Sequence, residues 1–235
     1  NKAGEDHNFI EPEETYKLIT PKTLLIVTDT YQKRLLEDQK IYEKCSRVVV
    51  IDHHRMAVGH IDNPILLYHE PFASSASELV CELLQFMPAQ NNITQLEAQA
   101  LLSGIMLDTR SFALHVGVRT FEAAAFLRRS GADVTRVRKL LRDDLKSYQA
   151  RAEAVRTAQI YRECYAIARC PSENLDSPTV TGAQAANELL NIAGVKASFV
   201  LTPYNNEVYV SARAIDEVNV QIMMERMGGG GHLNI

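Results

Sequence analysis

Arg47-Val48-Val49-Val50-Ile51-Asp52-His53-His54-Arg55 decides the fold. Four aliphatic, mostly β-branched residues in a row mark a strand buried on both faces, as in a parallel sheet. The run stops at an acid, two histidines and an arginine. Open α/β sheets place their ligands at the carboxyl ends of such strands. Asp-His-His-Arg in that position is therefore a candidate site, whereas a lone histidine would more simply end a strand in a solvated loop.

Working outward, Thr23-Leu24-Leu25-Ile26-Val27-Thr28 is a second buried strand that also ends in an acid, Asp29. A helix over about residues 33–45 joins the two, and strand–helix–strand in one sheet implies parallel strands. Asp29 and His53 then share one sheet edge. Upstream, Glu11-Pro12-Glu13-Glu14 has the proline and acids of a helix start. Downstream, Ser75 with Glu78 and Thr94 with Glu97 are capping boxes that open two helices. The second runs through Leu101 and Leu102 to Leu107, so a third apolar run ends in an acid, Asp108, which we expect at the same site as another strand-end ligand.

Residues 119–130 form a further helix stopped by Gly131, and a charged helical stretch extends from Val134 to about Tyr161. Beyond it come a strand near 164–168, a helix over 181–192, and strands at 197–202 and 208–212 around Tyr204-Asn205-Asn206. Asparagine tolerates the left-handed conformations of a hairpin turn. Asn219 opens a last helix running into Gly228-Gly229-Gly230-Gly231-His232. The fold class is α/β: an N-terminal domain, 1–150, with a helix-flanked parallel sheet, and a smaller α+β domain, 151–235, with antiparallel pairing.

At 235 residues the chain can bury a sizeable core in each domain. Its net charge of −4, with no clustered Lys and Arg run, argues against a long nucleic acid as partner. The four cysteines are scattered without metal-site spacing, which fits a reducing compartment. No apolar run reaches membrane-spanning length.

Two carboxylates and an imidazole, Asp29, Asp108 and His53, suit a divalent ion such as Mn²⁺ better than a structural zinc. A pair of such ions about 3.5–4 Å apart would serve an in-line phosphoryl displacement, and three ligands are too few for two ions. At the other end, consecutive glycines let backbone N–H groups approach an anion, with His232 as a further donor. Arg213 in Ser211-Ala212-Arg213 can fork onto a phosphate.

With these motifs in order, the chain resembles the DHH–DHHA1 phosphoesterases. Asp52-His53-His54 is similar to the motif that names the family. Val27-Thr28-Asp29-Thr30 and Leu107-Asp108-Thr109-Arg110 look like the aspartate motifs around it, and Ser211-Ala212-Arg213 and Gly228 to His232 like the substrate elements of a DHHA1 domain. Val50 to Arg55, Glu70 to Val80, Asp108 to Phe112 and Val218 to Gln221 are most similar to the catalytic module of GdpP-type cyclic-di-AMP phosphodiesterases.

The resemblance implies hydrolysis of cyclic di-AMP to linear pApA with Mn²⁺. It implies Asp29, His53 and Asp108 as metal ligands, Asp29 bridging. His54 would face the scissile phosphate and Asp52 would orient the neighbouring histidines. Arg110, Ser211, Arg213, Gly228, Gly229, Gly230, Gly231 and His232 would bind substrate. The family's first motif, His-x-x-x-Asp-x-Asp, is absent here and is expected upstream of residue 1, together with the helices that would anchor an otherwise cytoplasmic module to the membrane. The DHHA1 domain is expected to continue past residue 235. A homodimer is compatible with the resemblance. The rivals are an oligonucleotide phosphodiesterase acting on pApA or short RNA and a non-catalytic cyclic-dinucleotide sensor. A pyrophosphatase is disfavoured by the glycine–histidine motif.

Overall fold

The computed structural model describes residues 9–54, 59–87, 93–215 and 218–229. Arg55 and the segment Gly230, Gly231 and His232 lie outside the described residues. Helix α1 (Pro12–Leu18) carries Pro at its start and Glu13 and Glu14 in its first turn, as its sequence dictates. Strands β1 (Leu24–Thr28), β2 (Arg47–Asp52) and β3 (Leu66–His69) then form a parallel sheet in that order, with Ile26 opposite Val49 and Asp52 opposite His69.

The central strand explains the aliphatic run. Val48 and Val50 pack on one face with Val27, Tyr31 and Ile61, while Val49 and Ile51 pack on the other with Ala73 and Leu79. A fully withdrawn side chain of this size contributes about 1.5–3 kcal/mol, so both faces drive the strand inward. The expected helix over residues 33–45 is instead a 3₁₀ turn (Lys33–Leu35) and a short helix, α2 (Gln39–Lys44), which Asp38 caps by accepting from the Lys40 and Ile41 amides. Strand β3 went unrecognised in the sequence because its four residues are too few to show a period.

Three further helices build the rest of this layer. Helix α3 (Ala76–Phe86) is capped by Ser75, and α4 (Gln95–Asp108) opens on the capping box of Thr94 and Glu97. Helix α5 (Val118–Arg129) starts at Gly117. Cys81, Ala98, Leu102, Ile105, Ala123 and Leu127 bring their inner faces together.

The charged stretch from Val134 is two helices, α6 (Val134–Leu140) and α7 (Leu145–Arg156), each with its own aspartate cap, Asp133 and Asp144. The chain divides into compact units between Arg142 and Asp143, ahead of the expected boundary near residue 150. The reason lies in α7. Its buried Arg151 pairs with Asp143 at 2.6 Å and with Glu188 at 2.7 Å, so the helix belongs wholly to the second unit.

The second unit holds β4 (Gln159–Tyr161), β5 (Tyr165–Arg169), α8 (Pro178–Leu190), β6 (Ala197–Tyr204), β7 (Glu207–Ala214) and α9 (Val220–Arg226). Its sheet is mixed rather than purely antiparallel: β4–β5 and β6–β7 run antiparallel, but β5 and β6 run parallel because α8 carries the chain back across. Asn205 and Asn206, with φ of 52° and 60°, make the two-residue hairpin between β6 and β7. All four cysteines are free. Among the described residues no helix is long and apolar enough to cross a membrane.

Candidate metal centre

Parallel pairing brings the ends of β1 and β2 to one edge, with Thr28 opposite Ile51. Asp29 follows β1 in a left-handed conformation, φ 63°, while its amide still donates to Ile51 O at 3.0 Å. A non-glycine residue held there costs about 1–2 kcal/mol, a strain found where function fixes the backbone. Asp52 ends β2 fully buried, and its Oδ1 accepts from the amides of His53 (2.9 Å) and His54 (3.2 Å) and from His54 Nδ1 (2.7 Å). Its Oδ2 is buried without a hydrogen-bond partner among the described residues.

The His53 ring is fixed from the opposite side. Its Nδ1 lies 3.2 Å from the carbonyl oxygen of Ala73. A carbonyl only accepts, so Nδ1 carries the proton and the lone pair of the neutral ring sits on Nε2. That nitrogen faces two carboxylates, Asp29 Oδ1 at 3.3 Å and Asp108 Oδ2 at 3.8 Å. Asp29, His53 and His54 offer ligand atoms all within 4.8 Å of one another.

Asp108 arrives differently from the strand-end position expected of it. It is the last residue of α4, where the helix carbonyls already concentrate negative potential. Burial and then the charge of Asp29 push its pKa up from the usual carboxylate value. Burial is the largest influence on His53 and opposes a charge there, yet the bond to Asp29, the Ala73 carbonyl and the Asp29 charge together outweigh it and its pKa rises; His54 rises through its bond to Asp52. These three groups thus hold their protons more tightly than they would in water. A lone pair and two carboxylates, with no thiolate, form a donor set that fits a divalent ion of intermediate to hard character.

Beyond Asp108, Arg110, Ser111 and Phe112 occupy consecutive left-handed positions (φ 47°, 59° and 68°), tied back through Ser111 N to Met106 O at 2.7 Å. The second unit places Ser211 and Arg213 on β7, opposite Val200 and Ser198. Gly228, φ 84°, and Gly229 close α9, their amides donating to Glu225 O and Met224 O. Those two N–H groups are therefore committed to the helix end rather than presented to an anion.

Two contributors escaped the sequence reading. His69, at the end of β3, reaches the His54 carbonyl oxygen through Nε2 and stands edge-on to the buried Tyr31 ring. Leu66-Leu67-Tyr68-His69 repeats the signature of an apolar run ending in a polar group, which could have marked it. The Ala73 carbonyl left no such trace.

Residues 3–105 match the DHH family, N-terminal domain, and residues 165–235 match the DHHA1 domain. The chain is 48% identical over 225 residues to the cyclic-di-AMP phosphodiesterase GdpP of Geobacillus thermodenitrificans, covering 95% of this chain and 34% of that protein. It is 40% identical to the cyclic-di-AMP phosphodiesterase PdeA of Listeria monocytogenes, covering 97% of this chain and 35% of that one. The chain spans about a third of the length of these relatives. A solved exopolyphosphatase-related protein from Bacteroides fragilis superposes with a TM-score of 0.79 over 90% of this chain and 64% of its own, at 22% identity, which shows a shared fold.

Proposed function

The chain belongs to the DHH family, with a DHHA1 domain behind the DHH domain, and on that footing we propose that it is the catalytic module of a metal-dependent phosphodiesterase that hydrolyses cyclic di-AMP to pApA. The observation that carries this reading is His53 Nε2 set between Asp29 and Asp108 at the end of a parallel sheet. Identity of 40–48% to cyclic-di-AMP phosphodiesterases across nearly the whole chain supports the substrate.

In this reading Asp29, His53 and Asp108 would hold Mn²⁺. A divalent ion held there would supply Lewis-acid chemistry, activating water and polarising a phosphoryl oxygen. Water adds to phosphorus, the bond to the 3′ oxygen breaks, and that oxygen takes up a proton, leaving a 5′-phosphate and a 3′-hydroxyl. His54, its proton affinity raised by Asp52, donates to the scissile phosphate. Asp52 keeps both histidines oriented. Arg110 of the first unit is proposed as a substrate contact and, taken separately, so are Ser211 and Arg213 of the second. The full-length protein is proposed to present this module on the cytoplasmic side of a membrane.

The test incubates the full-length protein with cyclic di-AMP and Mn²⁺, alongside pApA and short RNA as competing substrates. We expect pApA to accumulate and His53→Ala to abolish it. Absence of pApA from the unaltered protein, or faster turnover of short RNA, overturns the substrate assignment.

A further inference from the structure

Glu78 is among the largest fully buried side chains of the first unit; among the described residues its carboxylate makes no hydrogen bond or ion pair with an arginine or lysine, and Arg119 acts on it through charge alone. Burying a carboxylate costs several kcal/mol, on the order of what a marginal fold can spare, unless donors replace its water. Here one oxygen, Oε2, takes all three: the Ser74 amide at 3.3 Å, the Ser74 hydroxyl at 2.6 Å and the Thr120 hydroxyl at 2.6 Å.

This is more than a helix cap. Ser75 accepts from the Glu78 amide at 3.1 Å, but the carboxylate does not complete the reciprocal bond to Ser75 that a capping box would make. It reaches one residue further back, to Ser74, and across to Thr120 in the first turn of α5. Thr120 in turn accepts from the Gly117 amide at 3.0 Å. The carboxylate therefore sits against the N-terminal turns of both α3 and α5, whose aligned amide dipoles favour a negative charge.

The residue before Ser74 is Ala73, whose carbonyl oxygen meets His53 Nδ1. We propose that Glu78 is a positioning residue for the metal centre: by clamping Ser74 to α5 it fixes the Ala73 carbonyl, and that carbonyl holds the proton on His53 Nδ1 so that Nε2 presents its lone pair to a cation. The inference rests on the metal reading given above, and it assigns Glu78 no contact with substrate.

Glu78→Met removes the acceptor at nearly constant shape, whereas Glu78→Gln keeps one carbonyl oxygen for the same donors. Outer-sphere partners of a metal-binding histidine typically change affinity about 10–100-fold. We expect Glu78→Met to weaken Mn²⁺ binding about tenfold or more by electron paramagnetic resonance titration, and Glu78→Gln to stay within about threefold of the unaltered protein. In the metal-free protein, at a pH high enough to leave the His53 ring neutral, its ¹⁵N shifts should show a single Nδ1-protonated tautomer, and in Glu78→Met a mixture.

A folded Glu78→Met with unchanged Mn²⁺ affinity and an unchanged tautomer overturns the proposal. Should that variant not fold, Ser74→Ala decides, because it deletes one hydroxyl of the relay and leaves Glu78 held by Thr120. A mixed tautomer there supports the relay, and a single one overturns it. Tautomer and Mn²⁺ titration need no substrate, so failure to hydrolyse cyclic di-AMP would sink the proposed function and leave this result standing.

Discussion

Asp52 Oδ1 lies 2.7 Å from His54 Nδ1 and takes the amide hydrogens of His53 and His54 as well. One buried carboxylate oxygen thus sets the backbone turn that follows β2 and the orientation of the second histidine. Asp52→Ala should destabilise the first unit by about 1–3 kcal/mol, because it strands buried donors. Urea unfolding measures this. A loss below about 0.5 kcal/mol would show that the turn holds itself, since that is the scale of an ordinary surface change.

Asp29, His53 and Asp108 are expected to act as a unit. Asp29→Asn, His53→Ala and Asp108→Asn should each lower Mn²⁺ affinity at least about tenfold, with smaller losses on combining two of them than the product of the singles. Calorimetric titration of singles and doubles reads this out. Independent, multiplicative losses would separate the three residues into different sites.

The raised pKa values of His53, His54 and Asp108 fix a direction for pH. Each group binds more protons folded than unfolded between its ordinary and its raised value. Its stabilising contribution is complete below the ordinary value, 6.5 for the histidines and 3.8 for Asp108, and is lost as pH climbs through the raised one. The metal-free protein should therefore lose the Asp108 contribution as pH rises above the ordinary carboxylate value and the histidine contributions as it rises above the ordinary histidine value. A cation competes with those protons, so the rise in Tm on adding Mn²⁺ should be larger at about pH 8 than at about pH 6. Equal shifts at both would mean that the ion binds elsewhere.

Gly104 of α4 faces Ser77 of α3 so closely that an added Cβ would stand 2.2 Å from Ser77 Oγ and 3.1 Å from its Cβ. Gly104→Val should cost about 1–3 kcal/mol by overpacking. Because α4 ends at Asp108, it should also weaken Mn²⁺ binding. A destabilised variant with unaltered metal affinity would show that α4 can shift without carrying Asp108 along.

Leu79 is fully buried beside Val49, Ile51 and Ala73. Leu79→Ala should cost about 2–5 kcal/mol through the cavity it leaves. Thermal melts in saturating Mn²⁺ and without it should show the ion recovering part of that loss. An unchanged melting midpoint would remove Leu79 from the support of β2.

By itself the sequence determined the parallel sheet, its central strand buried on both faces, the capping box of Thr94 and Glu97, the asparagine hairpin and the meeting of Asp29 with His53 at one sheet edge. Those features follow from local pattern: side-chain period, capping chemistry and polar residues where apolar runs stop. Tertiary structure decided the rest, because it depends on which distant segments meet. It put Asp108 at a helix terminus rather than a strand end and split the charged stretch at Asp144. It also made the sheet of the second unit mixed and spent the Gly228 and Gly229 amides on closing α9. The proton on His53 is likewise assigned by the Ala73 carbonyl, twenty residues away in the chain. No pattern along a chain marks a backbone oxygen, since every residue has one and only packing aims it.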